Sequence, residues 1–343
     1  MDVTRERLRA LPKAELHVHL DGSLRPETLI ELARERGRDL PAWEPDELAA
    51  WMASNESRTL GEYLTRFDTI LLVMQDAEAL DRIAYELAED AASENVRHLE
   101  VRFCPGLATT AGLSAAEVVE ATLRGLRRGE EDFNLRTGLI VCGLRHLEAR
   151  ASARLAEVAA DFKGKGVVAF DLAGAESGFP PLLHRGALQV ARRANLGLTI
   201  HAGEAQGAES IAQALHDCGA NRIGHGTRLF QDPDLLAYVK DFRIPLEVCL
   251  TSNVQTGAVA SIAEHPLRSY YEDGLVVTLS TDNRLVSATS LTDEYWKAHE
   301  HLGFSWSELV EVAVMGFRSA FLPWDEKLAL LDQVRREIAA LDT

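Results

Sequence analysis

The chain has few cysteines, little basic charge and no long apolar run, and each shortage removes a class of function. Cys104, Cys142, Cys218 and Cys249 make no CxxC pair. Three of them lie in apolar strand-like runs, so they read as small buried hydrophobes in a reducing compartment. Lysine and arginine total 36 against 53 acidic residues, a net charge of −17. That balance excludes a nucleic-acid or anionic-membrane partner, because phosphate binding needs a basic face. The acidic excess reads as plain solubility. No apolar run reaches the roughly 18 residues of a membrane span. The opening Met-Asp-Val-Thr-Arg-Glu-Arg offers no apolar stretch for a secretory signal, so the expected location is the cytoplasm.

What is present is alternation. Short apolar segments suited to strands fall at 15–20, 96–103, 137–142, 166–173, 197–201, 222–225, 244–250 and 275–281. Several are continuous β-branched runs, as expected for parallel strands covered on both faces. Amphipathic stretches at 76–94, 114–133, 149–162, 183–195, 207–217, 231–241 and 265–273 lie between them. Eight strands with intervening helices is the count for an α/β fold of the (β/α)8 TIM-barrel type. A doubly wound open sheet fits less well, since no glycine-rich turn follows the first strand. The expected organisation is one domain, 1–343, with a helical lid insertion over about 24–94 and extra helices near 291–302, 306–319 and 325–341. Within the insertion, helices are expected near 26–37, 59–74 and 76–94.

The chemistry gathers at the carboxyl ends of the strands, where parallel barrels place their active sites. His17 and His19 end the first strand, His201 the fifth, His225 the sixth and Asp282 the eighth. A His-X-His pair on a strand points both rings to one face, because side chains alternate with period two. With a third histidine and an aspartate from distant strands, the set makes a nitrogen-rich cage suited to a zinc-like divalent ion. Such an ion lowers the pKa of a bound water to about 7. Unrelated strand-end histidines are the plain alternative, but the shared placement argues against it. Glu204, three residues past His201, is placed to shuttle a proton to a ring nitrogen or leaving amine. Its plain alternative is a charge favouring the dipole of the helix at 207–217. His225 is either a ligand or a base that orients water; spacing cannot separate the two. Asp21 and Gly174 are candidate substrate contacts, although Asp-Gly and Ala-Gly are also ordinary turn formers.

The run Leu-Pro-Lys-Ala-Glu-Leu-His-Val-His-Leu-Asp-Gly-Ser at 11–23 resembles the amino-terminal signature of the adenosine deaminase family. Asp-Leu-Ala-Gly at 171–174, His-Ala-Gly-Glu at 201–204, Arg-Ile-Gly-His-Gly at 222–226 and Ser-Thr-Asp at 280–282 resemble it too, in order. The resemblance implies a barrel with one Zn2+ per chain, held by His17, His19, His201 and Asp282. It makes Glu204 the proton donor to purine N1, and His225 the group that positions and helps deprotonate the water attacking C6. Asp21 would take a ribose hydroxyl and the Gly174 N–H would face N3. His19 would also border the substrate. The segment 59–67 resembles the family's apolar gate, with Leu60, Tyr63, Leu64 and Phe67 as its lining; ordinary helix core at i, i+3, i+4, i+7 spacing is the alternative.

Much of that family has a second aspartate after the last ligand, thought to serve purine N7. Asn283 stands there, and an amide always carries two donors, so N7 remains within its chemistry. The implied activity is deamination of adenosine, and of 2′-deoxyadenosine, in purine salvage. Rivals within the class are adenine deamination and deamination of a modified 6-aminopurine nucleoside such as aminofutalosine. Outside it, a two-metal phosphoester or amide hydrolase is disfavoured because the fourth strand's end carries no lysine to carboxylate. A silent purine-binding protein would be marked by a lost ligand or a lost Glu204, and every such position is filled. The partner is a small molecule; the sequence sets no oligomeric state.

Overall fold

A computed structural model describes residues 2–57 and 59–341 of the chain. Eight parallel strands pair in chain order: β1 (Lys13–His19), β2 (Val96–Phe103), β3 (Arg136–Leu144), β4 (Val167–Ala173), β5 (Gly197–Ala202), β6 (Arg222–His225), β7 (Leu246–Val248) and β8 (Val277–Leu279). The ring closes just past β8. Asp282 bridges to Val18, its N–H donating to the His17 carbonyl at 2.9 Å and its carbonyl accepting from His19 N–H at 2.7 Å. Asp282 holds φ +62° to do so, a left-handed conformation uncommon for a residue with a Cβ.

Strand order follows the apolar runs, and the interior does not. Along β2, Leu99, Val101 and Phe103 pack into the apolar core. The alternate side chains, His98, Glu100 and Arg102, are fully buried among polar partners across the barrel. The helices cover the outside with apolar stripes. Ala77–Ser93 and Ala115–Asp132 are typical: Asp76 accepts from Ala79 N–H, and Ser114 and Glu117 form a capping box.

The strand ends are tighter than the hydropathy suggests. β7 spans three residues where 244–250 was expected, because Pro245 lacks a donor and helix Leu250–Gln255 begins after Cys249. β8 stops at Leu279, freeing 280–282 to turn toward β1. Of the expected helix at 207–217, only Ala208–Ala212 is α-helical, and Gln213–Asp217 widens into a π turn.

Between β1 and β2 lie helices Pro26–Glu35, Pro45–Met52, Leu60–Leu64, Phe67–Leu71 and Ala77–Ser93. The stretch expected as one helix over 59–74 is two short turns, broken at Thr65 and Arg66. Helices Leu291–Leu302, Trp306–Ser319 and Trp324–Leu341 follow β8; Trp306–Ser319 packs on β1 and β8 and backs the seam. Among the described residues no helix is long and apolar enough to cross a membrane.

Candidate functional site

Two of the histidines are aimed from behind. His17 donates from Nδ1 to Glu247 Oε2 at 2.9 Å, and His201 donates from Nδ1 to Asp171 at 3.0 Å. A carboxylate accepts only, so in each neutral ring the proton sits on Nδ1 and Nε2 turns a lone pair inward. Arg102 ties the two supports together, donating to Asp171 Oδ2 at 3.1 Å and to Glu247 Oε2 at 2.8 Å. Glu247 also meets Arg222 Nε at 2.6 Å and Thr199 Oγ1 at 2.9 Å. Burial works against the charge on Glu247, yet Arg102 and Arg222 hold its carboxyl well below the usual range.

Four groups then face one point. His19 Nε2 lies 3.2 Å from His201 Nε2, and Asp282 Oδ1 lies 3.3 Å from both His17 Nε2 and His19 Nε2. Ser252 Oγ donates to the other Asp282 oxygen at 2.6 Å. Burial, then Arg102, pushes the His17 ring down to about 4, so the ring keeps its lone pair at neutral pH. His17 Nε2 is fully buried without a hydrogen-bond partner. Inward lone pairs and a carboxylate packed this closely are costly unless a cation sits among them. The donor set suits zinc or a similar borderline divalent ion. A nitrogen of His225 also falls within 4.8 Å of donor atoms on His17, His201 and Asp282. Five side chains therefore compete for the role of ligand.

Above the cluster is a cavity of about 410 Å³, within the range of small-molecule sites of about 300–1,000 Å³. His19, Asp21, Leu60, Tyr63, Leu64, Phe67, Gly174, His201, Glu204, His225, Asp282 and Asn283 all line it. Among the other lining residues, sequence reasoning did not point to Leu71, Leu107, Leu144 or His146. Glu204 is buried, with Oε2 3.6 Å from His225 Nε2. Burial raises its carboxyl above the ordinary range against the pull of His225, and the Asp282 charge adds to the rise. It points at the cluster, while the first turn of helix Ala208–Ala212 carries Glu209 instead.

The loop bearing Glu204 is held by Glu176, which the sequence reading overlooked. Its carboxylate accepts from the N–H groups of Gly203 (2.8 Å), Glu204 (3.1 Å), Ala205 (2.6 Å) and Gln206 (2.9 Å), and from Ser210 Oγ (2.6 Å). Nothing in Glu-Ser-Gly announced that role. Asp171, at the start of the Asp-Leu-Ala-Gly run that ends in Gly174, turns inward behind His201.

Asp21 is buried and its Oδ1 has no partner. Burial lifts its carboxyl to about 7, against its own backbone hydrogen bond. Gly174 sits at φ +87°, where a Cβ would come within 2.7 Å of His146 Nδ1; both backbone and space demand glycine. Asn283 has one donor already engaged, giving its Nδ2–H to Tyr63 Oη at 2.7 Å, while Tyr63 Oη also meets Ser287 Oγ at 2.7 Å. Its Oδ1 is unpartnered. A Cβ on Gly22 would fall 1.7 Å from that oxygen, so this turn too admits only glycine. Tyr63 is buried, and Leu60, Leu64 and Phe67 are half-buried along the cavity wall.

Known proteins resemble the chain along its length. The profile of the family described as "Adenosine deaminase" matches residues 12–337. A protein named adenosine deaminase from Mycobacterium marinum is 44% identical over 96% of this chain and 96% of its own. The crystal structure of an adenine deaminase from Arthrobacter aurescens superposes with a TM-score of 0.88 at 30% identity, over 96% of this chain and 99% of that one. A zinc-bound amidohydrolase from Burkholderia ambifaria gives a TM-score of 0.91 at 26% identity, over 100% of this chain and 95% of that one.

Proposed function

The chain belongs to the adenosine deaminase family, and from that premise we propose how it deaminates adenosine: with one zinc ion held by His17, His19, His201 and Asp282, and with 2′-deoxyadenosine as a second substrate. The observation that carries this reading is the convergence of inward lone pairs and the Asp282 carboxylate beneath a buried Glu204 whose carboxyl is raised by burial. A divalent ion held by these residues would supply a water of lowered pKa, about 7. The zinc-bound structural relative supports the choice of metal.

The chain's own groups divide the remaining work. Burial favours the protonated form of Glu204, which gives its proton to purine N1 and makes C6 electrophilic. His225, across from Glu204, orients the attacking water. Asp21 offers its unpartnered Oδ1 to a ribose hydroxyl, and Gly174 lets the purine edge approach the backbone. Asn283 and Tyr63 act as a pair at the N7 side. Leu60, Leu64 and Phe67 exclude water, with the insertion over about 24–94 as lid on one domain spanning 1–343. The physiological setting that fits is cytoplasmic purine salvage.

Adenine as substrate is favoured by one observation, the structural likeness to an adenine deaminase. Against it, Asp21 opens onto the cavity with a free acceptor, where a site for the bare base needs no such group. An ultraviolet assay on zinc-analysed protein, with adenosine, 2′-deoxyadenosine and adenine side by side and an ammonia readout, decides the matter. Fast nucleoside turnover with little on adenine is expected. Activity on adenine alone would overturn the nucleoside reading.

A further inference from the structure

His225 differs from His17 and His201 in what stands behind it. Those two rings are backed by carboxylates, Glu247 and Asp171. His225 Nδ1 is backed by the side-chain amide of Asn253 at 3.0 Å, fully buried. The direction of that hydrogen bond can be traced from a donor that admits no choice. The backbone N–H of Leu267 donates to His265 Nδ1 at 3.0 Å. His265 is neutral, because burial, then the neighbouring His225, pushes it down to about 3. A neutral ring that accepts at Nδ1 carries its proton on Nε2. His265 Nε2 therefore donates to the Asn253 atom 3.0 Å away, which must be Oδ1; Thr227 Oγ1 donates to the same oxygen at 3.1 Å. The other Asn253 atom is then the amide nitrogen, and it donates to His225 Nδ1.

We propose that His265 and Asn253 are positioning residues that fix the His225 ring with its proton on Nε2, so that it meets the reacting centre as a hydrogen-bond donor. Its consequence for the reaction rests on the deaminase reading above. A carboxylate behind a histidine sends a lone pair into the cage; an amide behind it sends a proton. By this rule His17 and His201 are built as ligands and His225 is not, which separates the roles that spacing and proximity leave open. It also replaces the proton-accepting half of the expectation for His225, since Nε2 already holds a proton. The proton that the attacking water loses then goes to Glu204. Having given its own proton to N1, the Glu204 carboxylate takes one from water as oxygen bonds to C6. It passes that proton to the 6-amino group as the C6–N bond breaks, and the C6 hydroxyl proton returns to it as the carbonyl forms. Ammonia leaves, and Glu204 ends as it began.

The test uses the zinc-loaded full chain with 15N-labelled histidine, His225 being assigned by comparison with His225→Gln. Long-range proton–nitrogen spectra are expected to place the His225 proton on Nε2. Asn253→Asp puts an acceptor behind the ring and is expected to move the proton to Nδ1. It should lower kcat by about 10–100-fold, the usual scale for an outer-shell partner, with KM and bound zinc little changed. His265→Gln, which keeps a donor for Asn253 Oδ1, should retain more kcat than His265→Ala. A proton on Nδ1 in the unaltered enzyme overturns the proposal, as does full kcat in an Asn253→Asp protein whose proton has moved. Should Asn253→Asp fail to fold, equal kcat in the two His265 variants overturns it as well. A proton found on Nε2 in an enzyme silent toward adenosine would instead count against the functional reading and leave the relay standing.

Discussion

The barrel floor and the lid above it are built on opposite terms. On the floor, Arg102, Asp171, Glu247 and His17 are fully buried charges and dipoles that satisfy one another. In the lid, two five-residue turns carry half-buried side chains, and Tyr63 reaches down to Asn283 and Ser287. Removing one member of a buried charged network strands its partners in a low-dielectric interior. Removing the Tyr63 hydroxyl breaks two neutral hydrogen bonds, to Asn283 and Ser287, each worth about 0.5–1.5 kcal/mol net. The floor therefore holds its polar atoms through several buried partners each, while the segment above it rests on few.

The strongest break in that comparison is Asp282→Ala, which should lose activity and metal together. Full zinc by metal analysis would refute Asp282 as a ligand. Glu204→Gln comes next: it preserves shape and metal but should lower kcat by about 10²–10⁴-fold, the range for a general acid. Near-normal turnover would sink that role. Arg102→Met leaves Asp171 and Glu247 each short of a partner, and should cost about 3–5 kcal/mol in urea unfolding.

Acid separates the regions further. His265 stays neutral in the fold down to about pH 3, against an ordinary value of 6.5. Between those values the unfolded chain binds the extra proton, so stability falls with falling pH, by about 1.4 kcal/mol per unit from this group. His265→Gln should remove that share of the slope. The smallest effect belongs to the lid. Tyr63→Phe breaks two such bonds and should cost about 1–3 kcal/mol, with a modest rise in KM and an unchanged acid slope. A loss as large as that of Arg102→Met would erase the distinction between floor and lid.

How much of this the sequence disclosed follows the same division. Strand order was legible because parallel strands with both faces covered read as apolar runs, and the strand-end histidines announced a cluster. The partners that aim them were not. Glu247 and Arg102 look like isolated charges in Leu-Glu-Val and Val-Arg-Phe, and only closure of the barrel brings them to one side chain's reach. Asn253 sits in a short helix and His265 in a loop, and no periodicity encodes their meeting. The helix at Pro45–Met52 was missed despite proline at its first position and two acids after it, a start signal that was there to read. The lid broke where Thr65 and Arg66 end one short turn and begin another, since five-residue helices lack the length for a periodic signature.

Asp282 joins two jobs that most enzymes assign to separate residues. Its backbone shuts the ring against β1 while its carboxylate faces the cage. A newly made chain whose last strand has not zipped home has neither a closed wall nor a complete set of donors. Closing the wall and completing the donor cluster thus hang on one residue.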